Sequence, residues 1–294
     1  MDTELDTIQK TRSLKELLEF SILNIDKPSG PTSFYTSDFV RKKLKSLGVK
    51  KTSHFGTLDP MVTGVLPVAL NRACRLTGFF MKKDKTYTGI MRLHEDVSEE
   101  KLKNEMRRFI GKIMQKPPVK SRVKRVERER EVKRFEILER EGKDVLFLSE
   151  VEAGTYIRKL IDDLGRKIGG AHMLELRRAK AGIFNESESF TLYQLDEALE
   201  ALNTGDESKL RKMLIPGEIV SAIMPAIQIK EKSVQLIFTG KPLMKSDILE
   251  SLPSKEIFAV FHLDRFIAIM RKSDEKEIIA RPEFVYVKIE NHKL

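Results

Sequence analysis

Between Ser53 and Asn71 the chain carries one formally charged side chain, Asp59, although 33% of its 294 residues are charged. At that composition a stretch of this length would hold about six acids and bases, so the segment is bound for the interior, where unpaired charges are rare. A carboxylate carried in among Leu, Val, Met, Pro and Gly needs a hydrogen-bonding or cationic partner, or a chemical task. Asp-Pro commonly starts a helix, with Asp as the cap and Pro in the first turn, and Asp also closes turns through its own backbone. The following "MVTGVLPVAL" sets Gly64 and Pro67 where a helix needs good formers, which weakens the capping reading. A turn-forming and a chemical aspartate both remain open on local grounds.

Length favours two domains with full hydrophobic cores. Fifty-four Lys plus Arg against 44 Asp plus Glu give a net charge of +10, which biases the protein toward polyanions and makes nucleic acid the leading partner class. Cys74 is the single cysteine, so an intramolecular disulfide and a cysteine metal site are excluded, and the five histidines have no metal-ligand spacing. The N-terminal "MDTELDTIQKTRSLKELLEF" is acidic and amphipathic rather than a targeting signal, and no apolar run approaches a membrane span. These features predict a cytoplasmic protein with no membrane partner.

Residues 1–20 read as an extension, partly helical around Leu14 to Leu18. "SILNIDKPSGPTS" predicts a strand ending in the turn cluster Lys27 to Pro31, and "SDFVRKKLKSLG" a helix with Ser37 as N-cap and Gly48 as stop. Strands are expected at Lys85 to His94 and Val145 to Val151. "TYIRKLIDDLGRKIGG" places Ile157, Leu160, Ile161, Leu164 and Ile168 on one helical face, and "LYQLDEALEAL" is another helix. Beyond Pro216, the β-like runs "SVQLIFTG", "IFAVFHL", "FIAIMRK" and "FVYVKI" predict a small β-rich module over 216–294, behind a larger domain over 21–215.

In "DKTYTGIMRLH", period-two alternation turns Tyr87, Gly89, Met91 and Leu93 to one inward face and sends Lys85, Thr88, Ile90 and Arg92 away from it or toward the edge. Taken alone, Tyr87 reads as a core tyrosine. Arg158 falls in the first turn of its helix, where a cation opposes the macrodipole; it is an ordinary flank arginine or the partner of a buried carboxylate such as Asp59. Lys116 to Arg134 holds nine Lys or Arg against three Glu, and Arg177, Arg178 and Lys180 form a second cluster. Charge runs are usually solvated faces. Two of them beside inward-facing Tyr and Arg also fit a groove that binds phosphates and leads to a pocket.

"HFGTLDPMVTGVLPVAL", "DKTYTGIMRLHEDV", "EAGTYIRKLIDDLG" and "GAHMLELRRAKAGIF", in this order, resemble the TruB-type pseudouridine synthases, most of all their archaeal H/ACA-particle branch, the relatives of dyskerin. Four ordered motifs over Ser21 to Phe190 are far more specific than one short pattern. The last residues, through "FTGKPLM" and "DRFIAIMRK", are similar to a PUA RNA-binding module. The resemblance implies an α/β fold of the α+β kind, with a mixed-sheet catalytic domain and a PUA-like second domain. It further implies an isomerase that breaks the glycosidic C–N bond of a uridine in RNA and rejoins the base to the ribose through C5, without metal, nucleotide or other cofactor. Carried over residue by residue, Asp59 is the catalytic aspartate, Arg158 pairs with it, and Tyr87 stacks on the target base. Leu176 closes an apolar wall, His54 contacts RNA around the extruded nucleotide, and Lys27 with Pro28 matches a turn that supports the substrate-binding side of the site. Met61 departs from the basic residue many relatives have there. The segment between Tyr87 and Arg158 is too short for the RNA-gripping insertion of bacterial tRNA-modifying members. The implied partners are therefore an H/ACA guide RNA, a substrate rRNA or tRNA, and small H/ACA partner proteins. A tRNA T-loop enzyme that needs no guide and a non-catalytic RNA scaffold are the alternatives.

Overall fold

A computed structural model describes residues 2–117 and 124–286. One mixed sheet dominates it. Its strands are β1 (Ser21–Lys27), β2 (Thr52–His54), β3 (Thr63–Leu70), β4 (Lys85–Leu93), β5 (Gly111–Gln115), β6 (Arg128–Glu141), β7 (Asp144–Val151), β8 (Ala171–Ala181), β9 (Phe184–Asn185) and β10 (Leu214–Pro216). The order along the sheet is β10-β1-β3-β8-β4-β7-β6-β5, with β2 on β3 and β9 on β8. Only β3 and β8 run parallel; the other pairs are antiparallel.

The helices of this part are α1 (Asp2–Thr11), α2 (Leu14–Glu19), α3 (Ser33–Lys43), α4 (Thr77–Met81), α5 (Glu99–Arg107), α6 (Ile157–Ile168), α7 (Leu192–Asn203) and α8 (Ser208–Met213). Helix α6 buries all five apolar residues that its spacing selects, Ile157, Leu160, Ile161, Leu164 and Ile168, and ends on Gly169 in the left-handed region. The start of α3 corrects the expected cap: Thr32, not Ser37, accepts the capping hydrogen bond, from the Tyr35 amide. Ser37 lies inside the helix and donates to the Phe34 carbonyl. The N-terminal extension is packed rather than loose, since Ile8, Leu17 and Leu18 join the core formed by β1, β3 and α7. Arg12 also bonds the buried Glu218 carboxylate at 2.7 Å.

Gly64 and Pro67, poor helix formers, lie in β3, which is buried on both faces from Gly64 onward. Strand β8 pairs with β3 only at Thr63 and Gly64, and β2 pairs with it from Val68. Pro67 falls between the two partners, where a missing N–H costs least.

A second, five-stranded sheet follows in the order β11-β13-β14-β15-β12, built from β11 (Ala226–Gln228), β12 (Leu243–Met244), β13 (Ile257–His262), β14 (Arg265–Lys272) and β15 (Ile278–Val285). "SVQLIFTG" is not a strand. It lies largely in α9 (Glu231–Phe238), which buries Ser233, Val234 and Ile237 at helical spacing. In "FVYVKI", Phe284 and Val285 end β15, and the second half, from Val287, lies outside the described residues. The two sheets share a core: the Phe20 ring stacks on Phe266 at 5.2 Å and meets Tyr286 at 4.5 Å and Phe284 at 6.3 Å. No helix among the described residues is long and apolar enough to cross a membrane.

Candidate active site

Asp59 sits in the loop between β2 and β3, where its carbonyl accepts from the Val62 amide at 3.0 Å and closes a turn. Leu58 and Val62 on either side are buried in the largest core cluster, which also holds Tyr87, Leu176 and Ile157. The loop is thus anchored by its apolar flanks, while Pro60 and Met61 face outward. Asp59 itself is not interior, and that corrects the sequence reading: its side chain is 44% exposed. The uncharged stretch is buried as expected, and its acid is presented at the rim.

Arg158, at the second position of α6, meets Asp59 with Nη2 2.6 Å from Oδ2. That contact explains a cation in a first helical turn. Arg158 is 47% exposed, so the pair can open onto a ligand without desolvating a fully buried charge.

Tyr87 faces inward as alternation predicts, on the buried side of β4 with Gly89, Met91 and Leu93. The same alternation corrects the placing of Lys85, which shares that face and is 6% exposed. Across the sheet, Tyr87 pairs with Arg178 and Gly89 with Leu176. Leu176 is buried against Gly89, where an added Cβ would lie 2.9 Å from Leu176 Cδ1.

The expected phosphate cluster at 177–180 is corrected by strand alternation. Arg178 is 1% exposed and donates to the carbonyls of Val65 at 2.7 Å and Gly56 at 3.0 Å. Arg177 is held by Asp26 through two bonds of 2.9 and 3.0 Å and by Glu186 at 2.7 Å. Only Lys180 is exposed. In the longer basic run, Lys120 and Arg122 lie outside the described residues. Lys124 and Arg125 are exposed, and the part from Arg128 onward is β6, with Val132 and Phe135 both buried across a register shift between Val132 and Arg134.

Lys27 does not reach a substrate surface. Its ammonium is fully buried and donates to the carbonyls of Pro28 at 2.7 Å, Pro60 at 3.0 Å and Val62 at 2.9 Å. It straps the Asp59 loop from beneath, in keeping with a supporting role and against direct substrate contact. Burial lowers its pKa, with Arg178 pushing the same way and Asp59 opposing. His54, half-buried, shares a 3.2 Å hydrogen bond with Thr57 Oγ1, and burial together with Arg178 lowers its pKa. The imidazole is therefore neutral at neutral pH.

Sequence reasoning missed Ser33. Its hydroxyl accepts from the Leu58 amide at 2.7 Å and donates to the Leu58 carbonyl at 3.0 Å, which ties the N-terminus of α3 to the Asp59 loop. A lone serine after Thr32 carries no local signal of this.

Residues 42–157 match the TruB family pseudouridylate synthase N-terminal domain, and residues 158–221 the tRNA pseudouridylate synthase B C-terminal domain. A probable tRNA pseudouridine synthase B of Archaeoglobus fulgidus is 40% identical over 276 residues, covering 92% of this chain and 84% of that one. Its counterpart in Methanothermobacter thermautotrophicus is 42% identical over 239 residues, 81% and 73% of the two chains. Among solved structures, a chain of a Cbf5-Nop10-Gar1 complex superposes with a TM-score of 0.86 at 36% identity, over 95% of this chain and 88% of that one. A chain of an H/ACA RNP bound to a substrate RNA containing 2'-deoxyuridine gives 0.85 at 35% identity, over 95% and 89%. Fold and relatives together define an RNA-modifying isomerase. The chain belongs to the TruB family of pseudouridine synthases.

Proposed function

We propose that this pseudouridine synthase acts at Asp59, with Arg158 orienting the carboxylate, Tyr87 stacking on the uracil, Leu176 closing the apolar wall and His54 contacting RNA beside the extruded nucleotide. The observation that carries the reading is the 2.6 Å contact between Arg158 and Asp59. It sets a half-exposed carboxylate at the mouth of the apolar cluster that holds Tyr87 and Leu176. A uridine in folded RNA is out of reach of such a site, so the target is flipped out of its stack, at a cost of a few kcal/mol.

The reading extends to partners. Chains at 35–36% identity and TM-scores of 0.84 to 0.86 come from complexes with Nop10, with Nop10 and Gar1, or from an H/ACA RNP with substrate RNA. This supports a guide-dependent enzyme in which residues 216–294 form a PUA-like module that anchors a guide RNA, and 21–215 form the catalytic domain. The names of the relatives support a second reading, a tRNA enzyme. The deciding experiment assays purified protein on bare tRNA and on a guide-paired target, with and without small partner proteins of the Nop10 and Gar1 kind. Guide dependence requires a large gain from guide and partners; full-speed conversion of bare tRNA with no such gain establishes the tRNA reading instead.

A further inference from the structure

Three cations lie buried around the loop that carries Asp59. Lys27 is 0%, Arg178 1% and Lys85 6% exposed. Buried Lys and Arg are expected to meet a carboxylate, yet no ion pair within 4.0 Å is found for any of the three among the described residues. Their hydrogen bonds run to backbone carbonyls: Lys27 to Pro28, Pro60 and Val62, Arg178 to Val65 and Gly56, and Lys85 to Met81 at 2.6 Å and to Lys83. Carbonyl dipoles satisfy the donors without neutralising the charges, and the carboxylates of Asp59 near Lys27 and Asp84 near Lys85 act on them only from beyond ion-pair distance, each opposing the fall of its lysine's pKa.

The placement of these charges is specific. Lys85 precedes Tyr87 by two residues on the same buried face of β4, and Arg178 is the residue directly opposite Tyr87 on β8, where side chains on one face come within about 5.5 Å at Cβ. Gly64 lets this happen: with φ at +98°, it approaches β8 so closely that a Cβ would stand 2.3 Å from the Arg178 carbonyl oxygen. Arg178 lowers the pKa of Lys27, Lys85 and His54 alike, so its field reaches every side of the loop.

Resting on the catalytic reading above, we infer that Lys85, Arg178 and Lys27 form an uncompensated positive field that stabilises the negative charge on uracil when its glycosidic bond breaks. The C1′–N1 electron pair leaves with the base, which is then an anion until C5 bonds to C1′. The C5 proton is lost and N1 regains one, so atoms and charge balance in the isomer. Fixed charges in a water-poor site act on such an anion with no reorganisation when it forms. None of the three needs to touch the base, so they are positioning residues for charge rather than reacting groups.

The test uses the full-length enzyme with its guide and partners, or on tRNA if that is its substrate. Burial lowers the Lys85 pKa to about 8. The wild-type rate constant for conversion of bound substrate should therefore fall as pH rises through that value, as the charge is lost. Lys85→Arg, charged throughout, should hold its rate at higher pH. Lys85→Met should be slower by on the order of tenfold below pH 8, as one unit charge acting through a protein dielectric permits, and should lose the alkaline limb. A target carrying 5-fluorouridine, whose base leaves as a more stable anion but has no C5 proton to lose, is followed by breakage of its N1–C1′ bond rather than by pseudouridine, and that breakage should lose less from Lys85→Met than it does with uridine. Equal losses on both substrates, with the alkaline limb intact in Lys85→Met, would overturn the inference. A wild-type enzyme that converts neither substrate would instead sink the functional reading.

Discussion

Ser33 and Leu58 exchange two hydrogen bonds, the Leu58 amide donating to the serine hydroxyl at 2.7 Å and that hydroxyl donating to the Leu58 carbonyl at 3.0 Å. Both groups are buried, so Ser33→Ala leaves an amide and a carbonyl without partners and should cost about 1–3 kcal/mol of stability. It should also loosen the residue next to Asp59, so the rate of the chemical step is expected to fall more than RNA affinity. Thermal melts and single-turnover kinetics check the two parts. An unchanged single-turnover rate would confine Ser33 to the scaffold.

Asp59→Asn is close in shape but is neither a competent nucleophile nor a base. RNA binding should stay within a few-fold of wild type, while isomerisation disappears from an assay that resolves pseudouridine from uridine. Turnover near the wild-type rate would remove Asp59 from the chemistry.

Arg158→Met tests the ion pair. Both partners are nearly half exposed, so their attraction is screened and its loss should change stability by no more than about 1 kcal/mol. The rate should still fall steeply, because the carboxylate loses its orienting partner. A large stability loss with an intact rate would reverse the assignment.

Gly64→Ala meets two obstacles, a backbone at φ +98° and the Arg178 carbonyl oxygen 2.3 Å from the new Cβ. Strain of this kind costs about 1–3 kcal/mol, and relief requires β3 and β8 to part beneath the Asp59 loop. Denaturant melts should show the loss. An undiminished midpoint would mean that the two strands tolerate separation there.

Stability should also depend on Lys85. Its folded pKa is about 8 against the ordinary lysine value of 10.5, so between those values the unfolded chain binds the extra proton. The burial cost of this charge is therefore relieved as pH rises through the interval, and below about pH 8, where both states are charged, the full cost remains and the pH dependence vanishes. The difference in melting temperature between Lys85→Met and wild type should shift in favour of wild type from pH 8 to 10. A constant difference would show that Lys85 titrates normally.

Much of the site was legible because periodicity reports faces. The five apolar positions of α6 and the inward aspect of Tyr87 follow from spacing alone. The resemblance alone assigns chemistry to Asp59, while the partner of Arg158 was legible through the oddity of a cation in a first helical turn. Burial of Asp59 was misjudged because composition describes a stretch, whereas a turn reverses direction within it and turns one residue out. Lys85 was misplaced although it lies two residues from Tyr87: a lysine overrode a pattern that, followed strictly, buries it. The nature of Arg177 and Arg178 depended on partners at Asp26, Gly56 and Val65, far away in sequence, which no local window contains. "SVQLIFTG" misled because a short apolar run suits either period until its neighbours choose one.

The aromatic seam between the two sheets bears on how the chain is made. Phe20 precedes the first strand, yet the rings that cover it, Phe266, Phe284 and Tyr286, come near the end of the described chain. During synthesis the first sheet is complete, through Pro216, well before its closing rings leave the ribosome. A nascent chain paused in that interval carries an uncovered apolar strip, and there a chaperone, or premature contact with another copy, would act.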